Sequence, residues 1–183
     1  DSAVMAIHDC DILTYTNELL ARLIYPVANP TFPYQVAKGY YARIGSDKLN
    51  GRVTRLLVSP LLIALKRVIG DRDYLDYLRS FRYPLSGEFA VRTPTLPDLR
   101  IPSDWGLEIG VVSEAYRSNS NKRICQVDIA GNYDHKHQDL SIDDPAAGLS
   151  RMSTDIAKSI FRKMTLMYIF VTFLQIVTRI HLT

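Results

Sequence analysis

Two aspartates one residue apart, in Asp9-Cys10-Asp11, close the apolar run Ala3-Val4-Met5-Ala6-Ile7. Such a run reads as a short buried strand, so the turn that follows holds both carboxylates at the strand's exit. There they can seat a hard divalent cation, and the cation can hold a diphosphate. The same pattern also fits a pair of solvated turn residues. Asn50-Gly51-Arg52-Val53-Thr54 stands at the predicted start of a helix, whose free N–H groups and partial positive charge favour a phosphate or carboxylate. Gly51 allows close backbone approach, Arg52 brings a bidentate fork and Thr54 a hydroxyl. A plain N-terminal turn with a solvated arginine is the alternative.

In Trp105-Gly106-Leu107-Glu108 an acid lies among apolar neighbours early in a predicted helix. Glu108 either complements the helix dipole or, as a buried group, accepts a hydroxyl hydrogen bond or balances cationic charge. Asp134-His135-Lys136-His137 follows the apolar strand Ile124-Cys125-Gln126-Val127-Asp128-Ile129. Neutral imidazole is a common metal ligand, and a loop at a strand exit can return one toward Asp11. A histidine-rich surface loop is the other reading.

The elements that must position these groups follow from periodicity. Residues 17–23 form a short helical patch, and 25–33 are broken by Pro26, Pro30 and Pro33. Residues 34–43 alternate as a strand and end in a polar loop over 45–51. From 52 to 69 a helix places Val53, Leu56, Leu57, Leu61, Leu65 and Val68 on one face, with Pro60 expected to kink it. Residues 71–82 read as a loop or short amphipathic helix carrying Tyr74, Leu75 and Leu78. A turn, Pro84-Leu85-Ser86-Gly87-Glu88-Phe89-Ala90, lies within 83–91 and leads into a loop with prolines at 94, 97 and 102. Helices are expected over 105–116 and from 148 to the C-terminus, the latter for packing or dimer contact. The division drawn is 1–147 as one part and 148–183 as a terminal helix.

A chain of 183 residues with 47% hydrophobic and 22% charged side chains can bury one domain's core. A net charge of +3, without basic blocks interleaved with aromatics, excludes an electrostatic case for nucleic acid. Cys10 and Cys125 lack metal spacing and read as reduced, buried thiols of a cytoplasmic protein. No signal-peptide pattern is seen. The apolar stretch 166–177 falls short of the ~20 residues that span a bilayer, and it carries Thr172 and Gln175. A strand that delivers metal ligands at residue 9 is normally a middle strand of an α/β sheet, so the sequence reads as the later part of a longer enzyme.

Taken in order, the motifs resemble the glucosyl-3-phosphoglycerate synthases, retaining glycosyltransferases of the GT-A fold. The resemblance rests on Asp9-Cys10-Asp11, Gly51-Arg52-Val53-Thr54 with Pro60-Leu61-Leu62, Ser86-Gly87-Glu88-Phe89-Ala90, Gly106-Leu107-Glu108-Ile109-Gly110, Cys125-Gln126-Val127 and the His135 loop. It covers roughly residues 3–140 and implies an α/β, GT-A-like fold from the Asp-x-Asp strand onward. It further implies that Asp11 and His135 ligate a divalent metal, Mg²⁺ first and Mn²⁺ or Co²⁺ as alternatives, that clamps a nucleotide-sugar diphosphate. Asp9 would assist at the metal or the donor ribose, and His137 would lie near the donor phosphates, where relatives can carry Asn. Gly51, Arg52 and Thr54 would hold the phosphate of 3-phosphoglycerate. Glu108 would face the reacting sugar and acceptor hydroxyl, and Glu88 would be the polar contact of the sugar pocket.

The implied activity moves glucose from a nucleoside-diphosphate sugar to 3-phosphoglycerate with retention, by a front-face route in which the leaving phosphate takes the acceptor proton. The implied product is glucosyl-3-phosphoglycerate, a precursor of glucosylglycerate, a compatible solute. The expected protein is a homodimer. The family's nucleotide-binding half precedes the Asp-x-Asp and is absent from these residues, so the isolated chain is not expected to be a competent enzyme. The donor base and the choice of glucose over mannose stay open. Two rival readings stand beside this one. An aspartate-based phosphohydrolase also places Asp-x-Asp after an apolar strand, and Asp143-Asp144 could pose as its terminal acidic pair, but Leu13 stands where it wants Thr or Val. A non-catalytic domain that binds a phosphorylated metabolite, or merely dimerises, is the other.

Overall fold

The computed structural model describes residues 3–42, 44–45, 48–49, 51–119, 121–131, 133–134 and 148–181, the side chains of 44–45, 48–49 and 169–181 excepted. Asn50, His135, His137 and Asp143-Asp144 therefore lie outside the described residues.

Four strands build the main sheet: β1 (Val4–Ile7), β2 (Val36–Tyr41), β5 (Phe89–Arg92) and β6 (Ile124–Ala130). Their spatial order is β1-β5-β2-β6. β5 runs antiparallel to both neighbours, while β2 and β6 are parallel. The carboxyl ends of β1, β2 and β6 thus open on one edge, together with the start of β5. That is the edge where α/β sheets place ligands. Two further short strands, β3 (Ile44–Gly45) and β4 (Lys48–Leu49), form a separate hairpin where a plain polar loop was expected.

Alternation along the strands fixes what lies on each face. Ala37 and Ala90 turn to one side, where Leu19, Leu23 and Val27 of α1 (Asn17–Ala28) cover them. Val36, Phe89 and Val91 turn to the other, against Val111 and Ala115 of α4 (Leu107–Ser118). Phe89, Ala90 and Val91 are wholly buried, which makes β5 a central strand rather than part of the turn expected over 83–91. Four residues are too few for periodicity to separate a strand from a turn, and only pairing on both sides defines this one.

α1 also outruns its expected end at residue 23 and carries Pro26 in its last turn. A proline there removes one intrahelical bond, but burial of Leu23 and Val27 outweighs it, at roughly 1.5–3 kcal/mol for each apolar side chain removed from water.

Helical structure runs from 52 to 69, as expected, through a π-turn at Thr54–Val58 into α2 (Ser59–Ile69). The Ser59 N–H bonds the Thr54 carbonyl five residues back. Pro60 has no N–H to offer Leu56, and the wide turn accommodates it. The extra residue also shifts the helix phase. Leu56 and Val68, expected on the buried face, are 72% and 82% exposed, whereas Val58 and Leu62 take the core positions.

Those two side chains pack with Tyr74, Leu75 and Leu78 of α3 (Asp73–Ser80), Ile109 and Val112 of α4, and Ile156 and Ile160 of α5 (Gly148–His181). Lys163 of α5 also pairs with Glu114 of α4, itself nearly buried. Among the described residues no helix is long and apolar enough to cross a membrane. Cys125 is half-buried, but Cys10 is exposed, against the expectation of two buried thiols. It sits in the turn past β1, where the sheet no longer covers it.

Because Ile160 is fully buried in the α2–α5 cluster, Ile160→Ala should lower unfolding free energy by about 2–5 kcal/mol. An unchanged urea midpoint would show that α5 does not share this core.

Candidate active site

At the exit of β1 the chain presses against the turn that leads into β5. A Cβ built on Gly87 would overlap the Asp9 carboxylate, so the close approach of these two segments requires glycine at 87. The next residue fastens them. The Asp9 N–H donates to Glu88 Oε1 at 3.4 Å, and the Tyr133 hydroxyl donates to the same oxygen. Glu88 is fully buried, and among the described residues its Oε2 has no hydrogen-bond partner.

Beneath this turn lies Lys38 of β2, only 1% exposed. Its ammonium donates to the Ser86 carbonyl and, at 2.8 Å, to Ser86 Oγ. The Ser86 hydroxyl in turn donates to the Gly39 carbonyl, and the Gly39 N–H bonds the Glu88 carbonyl at 2.9 Å. The turn is thereby stitched to β2 along its length. Burial lowers the Lys38 pKa to about 8, against the pull of Glu108, Glu88 and Asp9, each of which favours its charge.

Glu108 is the second residue of α4 and stands half-buried, with Oε2 out of water and without a hydrogen-bond partner among the described residues. Burial raises its pKa to about 7; Lys38 opposes the rise, and Asp9 and Glu88 add to it. The expectation that Glu108 is a buried acid rather than a solvated dipole partner therefore agrees with its surroundings. His8, beside Asp9, packs edge-on against Tyr15 with both ring nitrogens buried and, among the described residues, without a hydrogen-bond partner. Its pKa is lowered, mainly by burial, with Glu88 opposing.

The loop after β6 comes back to the same edge. The Leu13 N–H bonds the Asp134 carbonyl at 2.8 Å, and the Asp134 N–H bonds Thr14 Oγ1 at 3.1 Å. Asp11, half-buried, lies two residues before Leu13, and His135 follows Asp134 in sequence. Among the described residues no three His, Cys, Asp or Glu side chains cluster as a metal site. A Mg²⁺-type ion that takes one or two protein ligands and completes its shell on phosphate oxygens suits such a segment pair. A carboxylate at 11 and an imidazole beyond 134 are chemically suited to that partial set.

The helix tip at Gly51 joins this edge through aromatic rings. Gly51 has φ of 79°, a left-handed conformation that favours glycine, and its missing Cβ would lie 3.9 Å from the Tyr83 ring. Tyr83 meets Tyr41 edge-on at 5.3 Å, and Tyr41 stacks on Tyr133 at 3.8 Å. The tip is thus three rings from the carboxylate that Tyr133 bonds. Arg52 is exposed there, and Thr54 is buried with Oγ1 unpartnered among the described residues.

Asp9, Glu88 and Glu108 thus share one electrostatic neighbourhood, with the backbone on either side of Asp11 and the Gly51–Thr54 tip close by. His135 and His137 lie outside the described residues. Lys38, His8 and Tyr133 escaped the sequence reading. A lysine in register with Val36 on an apolar alternating strand was the one signal for Lys38; nothing comparable marked the other two.

No family model matches the chain. It is 49% identical over 162 residues to the glucosyl-3-phosphoglycerate synthase of Persephonella marina, covering 88% of this chain and 40% of that protein. It is 44% identical over 167 residues to the synthase of the same name from Methanococcoides burtonii, covering 90% and 41%. The chain therefore spans about two fifths of the curated relatives it matches. Among solved structures, the glucosyl-3-phosphoglycerate synthase of Mycobacterium tuberculosis with Mn²⁺, UDP-glucose and phosphoglyceric acid superposes with a TM-score of 0.69 at 24% identity. That match covers 89% of this chain and 50% of the other. The same protein with Mg²⁺ and UDP also gives a TM-score of 0.69. The resemblance read from the motifs holds along nearly the whole chain, and its α/β fold is the glycosyltransferase fold of those structures over about half their length.

Glu108 gains protons on folding between its ordinary carboxylate value and about 7. The folded state then binds more protons than the unfolded one, so stability is greatest below the ordinary value and is lost as pH rises toward 7. His8, with its lowered pKa, contributes the opposite slope in this range, so the check compares wild type with Glu108→Gln by urea unfolding between pH 5 and 7. The wild type should lose stability relative to the variant by at most ~1.4 kcal/mol per pH unit, and identical slopes in the two would remove Glu108 as a source.

Proposed function

We propose that the chain is the metal- and acceptor-binding part of a glucosyl-3-phosphoglycerate synthase, which moves glucose from a nucleoside-diphosphate sugar to 3-phosphoglycerate with retention. The observation that carries this reading is the meeting, at one sheet edge, of the Asp9–Asp11 segment, the loop leading to His135, Glu108 and the Gly51–Thr54 helix tip. The names of the two curated relatives support it, as do the ligands named for the solved synthase.

In this reading Asp11 and His135 hold the divalent cation. When bound, that ion neutralises charge gathering on the departing nucleoside diphosphate. Asp9, pinned through its backbone to Glu88, lies beside the donor, and His137 stands near the donor phosphates. Gly51, Arg52 and Thr54 bind the acceptor's phosphate at the helix tip, with the unpartnered Thr54 hydroxyl as one donor. Holding the acceptor by a group remote from its reacting hydroxyl supplies orientation. Glu108, whose pKa burial raises to about 7, orients that hydroxyl or steadies positive charge on the sugar. The complete protein is proposed to be a cytoplasmic homodimer. Residues 1–147 carry the site, and the terminal helix buttresses it and offers exposed Phe161, Leu166 and Tyr168 for contact.

The test is to incubate full-length protein with 3-phosphoglycerate, Mg²⁺ and a panel of nucleotide-sugars. A phosphorylated glycoside that appears only with a glucose donor and metal is the expected product. Release of phosphate from simple phosphomonoesters, independent of any nucleotide-sugar, would point instead to a phosphohydrolase. Within the same assay, Arg52→Ala should raise KM for 3-phosphoglycerate tenfold or more while leaving KM for the donor within about twofold, since a charge-assisted bond to phosphate is worth ~1.5–3 kcal/mol. Equal losses for both substrates would remove Arg52 from the acceptor site.

A further inference from the structure

Glu88 has a position that a sugar contact does not require. It is fully buried, and one oxygen receives both the Asp9 N–H and the Tyr133 hydroxyl. Asp9 lies two residues before Asp11, and Tyr133 lies two residues before His135. The same carboxylate oxygen is therefore joined to the segment that carries Asp11 and to the described residues that lead to His135. These segments are tied again by the Leu13 N–H on the Asp134 carbonyl and the Asp134 N–H on Thr14.

The rest of the environment holds Glu88 still. Its carbonyl accepts the Gly39 N–H, and the preceding Ser86 is bonded by the buried Lys38 ammonium. A Cβ at Gly39 would lie 3.0 Å from Glu88 Cβ, so the strand is packed closely against it. Tyr133 is clasped in turn, its ring stacked on Tyr41 and its N–H bonded to the Ala42 carbonyl at 3.3 Å.

We infer that Glu88 is a positioning residue for the proposed metal site: through Tyr133 and the Asp9 backbone it holds the segment that carries Asp11 against the residues that lead to His135. It need not touch the sugar or the metal. The inference rests on the proposal that Asp11 and His135 are the ligands. Groups that orient ligands in this way typically contribute 10–100-fold to metal affinity.

The experiment titrates full-length protein with Mn²⁺ alone, using the EPR signal of the free ion as the readout, with circular dichroism and a thermal midpoint for each variant. Tyr133→Phe keeps the ring on Tyr41 and removes only the hydroxyl, so its folding is expected to survive. It should weaken Mn²⁺ binding about tenfold or more. Glu88→Leu, which removes the acceptor, should weaken it at least as much, and the double variant should be little worse than Glu88→Leu alone, because the Tyr133 bond is already lost there. Asp11→Asn should abolish binding. Wild-type affinity in Tyr133→Phe and Glu88→Leu, with or without a lower thermal midpoint, would overturn the positioning role while Asp11→Asn upholds the ligand. Losses that multiply in the double variant would overturn the shared-bond argument. Equal affinity in Asp11→Asn and wild type would instead dismiss the ligand assignment, and the inference with it.

Discussion

A carboxylate removed from water must find partners or change its charge, because the protein interior repays the loss of hydration only through specific hydrogen bonds. Glu88 sits wholly inside this molecule at the start of a central strand, and its Oε1 gathers two donors from segments remote in sequence. That one oxygen brings the exit of β1 and the loop after β6 to a common point. Without it, these two segments would lose that shared point and keep the bonds of Asp134 to Leu13 and Thr14.

The same confinement shapes the ionisation of the neighbours. Lys38 is buried beneath the turn, and its pKa falls to about 8 even though three carboxylates favour its charge. Glu108 rises to about 7 for the corresponding reason, since burial opposes its charge more than one ammonium can offset. Three acids gathered around one buried base leave an edge that favours added positive charge. Such an edge suits a divalent cation and a sugar that becomes cationic as its bond to phosphate breaks.

Helix geometry supplies the opposite polarity nearby. The π-turn before Pro60 lets the helix continue to Ile69 and bury Val58 and Leu62, while Gly51 turns the chain into its tip. Tyr83, Tyr41 and Tyr133 fill the space between that tip and Glu88, so the distance between the anion-favouring end and the acidic edge is fixed by packed rings rather than by loops.

Much of this was legible before any fold was known. Chemistry-bearing types at turn positions after apolar runs marked Asp9, Asp11, Gly51–Thr54 and Glu108, and helix and strand periods placed most elements, because these are local properties of the chain. What the sequence could not determine is which side chains share a space. β5 is too short to announce itself, and a one-residue π-turn rotated Leu56 and Val68 out to solvent. Lys38 and Tyr133 acquired their roles only when β2 and the loop after β6 were brought against residues 86–88. Periodicity records the environment each residue prefers, but a hydrogen bond between residues 45 apart, such as Tyr133 to Glu88, exists only once the sheet has closed the distance.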